Sequence, residues 1–286
     1  GLPLLEQQER NPMLTSTFGT GQMIADALSR GCRRFLVGIG GSATNDAGMG
    51  MLEALGFRFM GKDGNALPGR GESMSEVVDI DMSHVPPEVN ESEFIIACDV
   101  DSPFCGPRGA AYVFSPQKGA DPQMVAELDA GMAHLAEVIA RITGKDVKDV
   151  PGAGAAGGLG GGFLAFLNAR LERGIEMVLD AIAFDDIIRG ADLVITGEGR
   201  VDSQTLTGKT PFGIMKRAQK QNIRTVAIGG SVMLGDEDDV SGFDSIWPVT
   251  PVGMPLEEAM KAEVASANVR ETVKKIMFEY KTEENE

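Results

Sequence analysis

The sequence is poor in histidine, in basic residues and in long apolar runs, and each shortage excludes a class of function. It has only two histidines, His84 and His134, with which neither a zinc site nor a Ser-His-Asp assembly can be proposed. It has 26 lysines and arginines but 42 acidic residues, and the resulting net charge of −16 excludes nucleic-acid binding through a general basic surface. No apolar run approaches the ~20 residues of a membrane-spanning helix.

Cysteine is also scarce. The three cysteines are an odd number in 286 residues, and no secretory leader is evident, so a disulfide framework is not expected. The hydrophobic fraction of 43% and the charged fraction of 24% are ordinary for a globular protein. We therefore expect a cytoplasmic protein with neither a nucleic acid nor a membrane as partner.

Glycine, by contrast, is abundant. It makes up 37 of 286 residues, about 13%, against a usual ~7%. Most of the glycines lie in three stretches, residues 31–71, 144–162 and 190–213. Because glycine permits positive φ angles and close backbone approach, such stretches are typical of loops that wrap a ligand, or of tight turns in an α/β fold.

The order of secondary-structure signals predicts an α/β fold. Short apolar runs bounded by turn residues predict strands at 35–39, 57–60, 94–98, 112–114, 193–195, 225–228 and 245–249. Amphipathic spacing and capping residues predict helices at 20–31, 45–56, 122–143, 162–171, 211–221 and 255–280, and residues 68–93 are predicted to be mainly loop. Strands that alternate with helices favour a parallel sheet, in which ligands bind beyond the carboxyl ends of the strands.

The first glycine loop follows a predicted strand. Residues 38–43 match the G-x-G-x-x-A dinucleotide fingerprint. The fingerprint also requires an acidic residue about 20 positions later, at the end of the next strand. The nearest candidate is Asp63, which lies in a predicted turn. A nicotinamide-dependent 2-hydroxy acid dehydrogenase therefore stays open as an alternative. Unpaired backbone amides at the start of a helix can hold an anion, and the side chains of Ser42, Thr44 and Asn45 add further donors. A carboxylate or a phosphate is therefore the expected ligand of this loop. The alternative is that these residues only cap the helix.

A second charged segment lies near residue 200. Residues 203–210 resemble a Walker A loop, but Ser203 occupies the position of the first glycine, so a P-loop is not predicted. Charges of both signs lie between Glu198 and Lys209, directly after a predicted strand. Phosphoryl transfer needs such a set of groups, because it depends on positioning and charge stabilisation. A surface loop of ion pairs is the alternative.

Four segments together resemble the bacterial glycerate kinase family of the type that phosphorylates D-glycerate with ATP. They are residues 38–46, residues 97–100 with 116–120, residues 151–160, and residues 196–211. They occur in the family's order through nearly the whole chain. The N-terminal strand of the family, its Asp-Ser-Lys turn and its Asp-Gly-Gly-Glu-Gly-Thr loop have no counterpart here, so we expect a family member without its N-terminal portion.

The resemblance implies two α/β domains. A central mixed α/β domain is expected at residues 1–184, and the C-terminal part of a flavodoxin-like (Rossmann-like) parallel-sheet domain, incomplete in this chain, at residues 185–286. The implied ligands are ATP, Mg²⁺ and D-glycerate, and the implied product is 2-phosphoglycerate, with 3-phosphoglycerate as the second choice. A non-catalytic sugar-acid binding module is a further alternative, and the oligomeric state stays open, with a homodimer as one candidate.

Within this kinase interpretation, we also expect roles for individual residues from their chemistry and position. Asp99, Asp202 and Lys209 are the expected catalytic residues, and Asp99 and Asp202 compete for the metal and base roles. The expected contacts to substrate and phosphate are Gly40, Gly41, Ser42, Thr44, Asn45, Asp46, Lys118, Gly197, Glu198, Arg200 and Gly208.

Overall fold

The structure is a computed structural model that describes residues 1–203, 205–235, 237–238 and 240–283. The chain folds into two compact units, Gly1–Met177 and Val178–Glu286. The sequence predicts a division after residue 184, whereas the compact units divide inside a helix that begins at Gly174. None of the helices in the described part of the chain combines the length and the hydrophobicity that a membrane span requires.

The first unit contains a parallel sheet and a smaller antiparallel sheet. Its strands are β1 (Arg34–Gly38), β2 (Arg58–Met60), β3 (Ala66–Leu67), β4 (Asp79–Asp81), β5 (Glu93–Ala97) and β6 (Ala169–Glu172). The parallel sheet has the order β1-β5-β6, and the antiparallel sheet has the order β3-β2-β4. Gly38 pairs with Ala97, and Ala97 pairs with Glu172. The segments that follow β1, β5 and β6 therefore all leave the sheet at the carboxyl end of its strands.

The first unit also contains α-helices. They are α1 (Phe18–Ser29), α2 (Met49–Ala54), α3 (Pro87–Asn90), α4 (Ala110–Phe114), α5 (Pro122–Thr143), α6 (Ala155–Phe166) and α7 (Gly174–Ala181), the last of which continues into the second unit. Of these, α6 contacts strand β6 of the parallel sheet. Helix α5 agrees with its sequence signals: the Asp121 side chain accepts a hydrogen bond from the Met124 amide, and Gly144 ends the helix with a φ of 73°.

Aromatic residues form the centre of the first core. Phe94 of β5 and Phe163 of α6 are fully buried, and their ring centroids lie 5.9 Å apart. Phe35 of β1 stacks on Phe94, with ring centroids 4.8 Å apart. Burying each such side chain contributes ~1.5–3 kcal/mol to folding, so this group fixes β1 and β5 against α6, and with them the loops at their ends.

The second unit is built on a parallel sheet of its own. Its strands are β7 (Leu193–Asp202), β8 (Arg224–Met233) and β9 (Ser245–Pro248), in the order β7-β8-β9. Its helices are α8 (Phe184–Ile187), α9 (Thr210–Lys220), α10 (Leu256–Ala259) and α11 (Ala262–Glu283). Two small groups of buried residues pack on the sheet, one around Ile188 and Ala218 and the other around Met215 and Ala227. The predicted α/β class is confirmed.

Several local predictions were wrong. Residues 112–114 lie in helix α4 rather than in a strand: the Ser115 amide donates to the Ala111 carbonyl, and the helix buries Ala110 and Ala111 and leaves Tyr112 exposed. Leu171 lies in β6, paired with Ile96, rather than in a helix. In both places, tertiary packing overrides the local propensity.

The boundaries of other elements also differ from the predictions. The helix predicted at 45–56 is only α2, and the one predicted at 255–280 is divided into α10 and α11. The region 68–93 contains β4 and α3. Strand β1 lies at a sheet edge with Leu36 51% exposed, so it is not the buried strand that its apolar run suggested. Strand β7 continues to Asp202, so residues 197–202, which the sequence places after the end of a strand, are extended and paired with β8.

Candidate functional site

The first glycine loop follows β1 and becomes more buried along its length. Gly40 and Gly41 are exposed, and an added Cβ at either position would meet no described atom within 4 Å. Ser42 and Thr44 are half-buried. Gly41 turns the chain with a φ of 69°, which favours glycine. The early part of the loop is therefore open to a ligand.

Lys118 lies against the buried side of this loop. It is 1% exposed, and its Nζ donates to the Ser42 Oγ and to the Thr44 carbonyl, both at 2.8 Å. Burial lowers the pKa of Lys118 to about 8, and the nearby Asp46 carboxylate offsets part of that effect. Lys118 thus gives the loop both its shape and a positive charge.

Asn45 and Asp46 are fully buried behind the loop, and protein groups bond their side chains. Asp46 accepts hydrogen bonds from the Thr17 amide at 2.7 Å and the Thr17 hydroxyl at 2.8 Å. Burial raises the pKa of Asp46, and these bonds oppose the rise. Asn45 accepts a bond from the Ser115 hydroxyl at 2.7 Å. Both residues therefore anchor the loop from within.

The second glycine segment packs directly on the first loop. The Ala47 amide donates to the Gly157 carbonyl at 3.0 Å, and a Cβ on Gly157 would lie 2.0 Å from the Thr44 carbonyl oxygen. At Ala156, Gly157 and Gly158 the backbone has positive φ angles inside the α6 segment. The two glycine-rich segments of the first unit therefore come together in space.

Asp99 lies just beyond β5, at the same carboxyl end of the parallel sheet as the first loop. It is exposed, and its Oδ1 accepts a hydrogen bond from the Gly174 amide at the start of α7, at 2.9 Å. The preceding residue, Cys98, directs its Sγ toward the Val100 carbonyl, and burial raises the pKa of its thiol. Asp99 thus presents a carboxylate to solvent at this end of the sheet, and Asp101, two residues later, is exposed as well.

The second unit brings together Glu198, Asp202 and Lys209. The Lys209 Nζ lies 3.3 Å from the Asp202 Oδ1, and the Thr205 amide donates to the same oxygen, also at 3.3 Å. The Thr205 hydroxyl donates to Glu198. Lys209 stands at the N-cap of α9, directly after Gly208, whose φ is 136°. Arg200 is exposed on β7.

A pocket of about 640 Å³ lies beside this cluster within the second unit. Gly197 and Glu198 line it together with residues that follow β9 and residues of α10 and α11. Sequence reasoning missed the latter group, because apolar residues at helical spacing are typical of ordinary core packing. The loop after β9 was the available signal, since it follows the carboxyl end of a parallel strand.

The described side chains form no preassembled metal site. Among the described residues, no three His, Cys, Asp or Glu side chains come together as a metal-binding group. Asp99 and Asp202 each offer a single carboxylate, in the first and the second unit respectively.

Comparison with known proteins places the chain in a family. A model of the glycerate kinase family matches residues 1–281. A glycerate kinase from Halalkalibacterium halodurans is 46% identical over 262 residues, which cover 91% of this chain and 69% of that protein. The glycerate 2-kinase of Escherichia coli is 42% identical over 284 residues, which cover 96% of this chain and 73% of that protein.

A solved structure gives the same result at the level of the fold. The crystal structure of a candidate glycerate kinase 2 from Salmonella typhimurium aligns with all of this chain and with 74% of its own, at 40% identity and a TM-score of 0.85. The family match over 281 residues includes both glycine segments, Lys118 and the Asp202–Lys209 pair. The chain therefore belongs to the glycerate kinase family.

Proposed function

We propose that this chain transfers the γ-phosphoryl group of ATP to the 2-hydroxyl of D-glycerate and releases ADP and 2-phosphoglycerate. The observation that carries the proposal is the family match across residues 1–281. It favours the kinase over the dehydrogenase that the fingerprint at residues 38–43 left open. Phosphorylation of the 3-hydroxyl is the second choice.

The first glycine loop is proposed to hold an anionic group. Gly40, Gly41, Ser42 and Thr44 lie on its accessible part, and Lys118 adds a positive charge behind it. Because little water reaches Lys118, its charge is screened less than that of a surface lysine. Asn45 and Asp46 are proposed to act indirectly, by holding the backbone of the loop in place.

The second unit is proposed to supply charges for the transfer step. Lys209 offsets negative charge on the transferring phosphoryl group, and Arg200 and Gly208 contribute secondary contacts to anionic oxygens. In this step a bond forms between the glycerate oxygen and the γ-phosphorus, and the bond from that phosphorus to the β,γ-bridging oxygen breaks. The hydroxyl proton passes to a carboxylate, for which Asp99 and Asp202 are the two candidates.

The donor set fits a magnesium ion that arrives with ATP. Mg²⁺ keeps several waters and binds one or two carboxylates together with phosphate oxygens, so it does not need a cage of three protein ligands. Asp99 or Asp202 would hold it. When bound, the ion neutralises charge on the phosphate oxygens.

A coupled ADP-release assay tests the proposal. With ATP, Mg²⁺ and D-glycerate, the chain should release ADP in proportion to the glycerate consumed, and L-glycerate serves as the matched control. ADP release that does not depend on glycerate, or glycerate-dependent reduction of a nicotinamide cofactor, would contradict the proposal. Thermal stabilisation by glycerate without consumption of ATP would favour a binding module instead.

A further inference from the structure

The pocket of the second unit is built differently from an anion site. Its volume of about 640 Å³ lies within the usual 300–1,000 Å³ of small-molecule sites. Part of its lining is the bare backbone of Gly197, Gly199 and Gly230. An added Cβ at Gly199 would meet no described atom within 4 Å, so there is room for a flat ring to approach its peptide plane, whereas the space beside Gly197 and Gly230 is taken by Ile228 and Gly199.

The remaining lining is mostly apolar. Ile228, Leu256 and Met260 are typical of it, and among the described residues that line the pocket there is neither lysine nor arginine. A phosphate group or the carboxylate of glycerate would find no cation there, and it would meet the Glu198 carboxylate. The pocket therefore suits a large, flat and largely apolar group that has a few polar edges.

Two polar side chains could define the orientation of such a group. Asn268 of α11 donates to the Met254 Sδ at 3.5 Å, and thioether sulfur is only a weak acceptor. Its amide offers one donor and one acceptor side by side, which matches the edge of adenine. The Glu198 carboxylate is oriented by the Thr205 hydroxyl and can accept hydrogen bonds from ribose hydroxyls.

We propose that this pocket binds the adenosine part of the nucleotide substrate, with Asn268 reading the edge of the base and Glu198 accepting from the ribose. This inference rests on the proposed kinase function, because an enzyme of that kind must hold a nucleoside triphosphate. The phosphates would extend out of the pocket, since its walls carry no cation among the described residues.

The first test fills the pocket from α11. Ala265 lines the pocket, whereas Ala267 is exposed on the same helix and does not line it. Ala265→Leu adds bulk where the nucleoside would lie, and overpacking typically costs 1–3 kcal/mol, so the Kd for ADP should rise about tenfold to a hundredfold. Ala267→Leu, the same change at a matched position, should bind ADP as the parent chain does.

The second test changes base recognition without changing size. Asn268→Asp replaces the amide donor with a second carboxylate acceptor. The carboxylate can no longer donate to the ring nitrogen of adenine, but it can accept hydrogen bonds from both N–H groups on the edge of guanine. The ratio of kcat/KM for ATP to that for GTP should fall at least about tenfold, because the site would leave a polar group of adenine unpaired. The KM for D-glycerate should not change.

The outcomes separate the pocket from the kinase function. If the parent chain is an active kinase and both variants keep its ADP affinity and its ATP preference, the pocket proposal is overturned and the function stands. If the parent chain binds ADP in an Ala265→Leu-sensitive way but never phosphorylates glycerate, the pocket stands and the function fails. Binding of NADH without binding of ADP would overturn both.

Discussion

At the scale of single residues, Lys118 joins the structure of the site to its electrostatics. Its Nζ bonds the Ser42 hydroxyl and the Thr44 carbonyl, and it keeps a pKa of about 8 in a nearly dry position. A neutral amine can still donate both hydrogen bonds, but it no longer offers a positive charge. Deprotonation of Lys118 should therefore remove the positive charge beside the loop while the hydrogen bonds that hold the loop's shape remain.

We predict a fall in activity as Lys118 loses its proton. In the parent chain, kcat/KM for D-glycerate should fall as the pH rises through about 8, because kcat/KM reports groups of the free enzyme. Lys118→Met should have low activity at all pH values and should lack this fall. A parent profile that stays flat between about pH 7 and 9 would remove the charge of Lys118 from the mechanism.

The same pKa shift predicts a stability effect with a defined sign. The folded value of about 8 lies below the ordinary 10.5, so between these values the unfolded chain binds more protons than the folded chain. The buried charge thus destabilises the fold fully below pH 8, and this cost disappears as the pH rises toward 10.5. The free energy of unfolding of the parent chain, relative to that of Lys118→Met, should increase over this window in denaturant titrations.

Lys209 gives a direct test of charge stabilisation in the second unit. Its Nζ lies 3.3 Å from Asp202 at the start of α9. Lys209→Ala should lower kcat by ~10²–10³, the usual cost of one lost contact to a transition state. Lys220→Ala, an exposed position at the other end of α9, is the matched control and should be neutral. An unchanged kcat in Lys209→Ala would remove Lys209 from the site.

At the scale of elements, close backbone contact between glycine segments holds the site of the first unit. Gly157 lies against the Thr44 carbonyl with a φ of 72°, and the Gly157 carbonyl accepts from the Ala47 amide at 3.0 Å. No side chain fits between these segments. The shape of the first loop therefore depends on α6 as well as on β1 and Lys118.

Two alanine variants separate this contact from backbone strain. Gly157 and Gly144 have nearly the same φ, 72° and 73°, but an added Cβ at Gly144 meets no described atom within 4 Å. Both changes should cost ~1–2 kcal/mol of stability for the left-handed conformation, and Gly157→Ala should cost ~1–3 kcal/mol more because of the clash. Equal losses in thermal unfolding would show that the two segments do not press on each other.

Helix α5 and strand β5 were predictable from the sequence, because their signals are local. Asp121, Pro122 and Gly144 mark the ends of α5, and the run 94–98 marks β5. The segment 112–114 was not predictable, because its bulky residues favour a strand locally while burial of Ala110 and Ala111 favours a helix. Strand β6 is defined by its pairing with β5, which is a long-range contact.

At the scale of the whole molecule, sequence patterns located the candidate site better than they assigned its parts. The first glycine loop was expected to bind an anion and Lys118 to contact substrate or phosphate, and in the first unit the structure brings both together with the second glycine segment. Nothing local distinguishes the buried Asn45 from the accessible Ser42, because burial depends on how α5 and α6 pack. The pocket that Asn268 lines is hidden in the sequence for the same reason.

The central claim is that this chain phosphorylates glycerate at its 2-hydroxyl, and ³¹P NMR of a mixture with ATP, Mg²⁺ and D-glycerate tests it most directly. The account predicts loss of the γ-phosphate signal, appearance of ADP, and a new phosphomonoester resonance. That resonance should be a doublet, because the phosphorus of 2-phosphoglycerate couples to one proton, whereas that of 3-phosphoglycerate couples to two and gives a triplet. A triplet would contradict the position of transfer, and an unchanged ATP spectrum would contradict the kinase function itself.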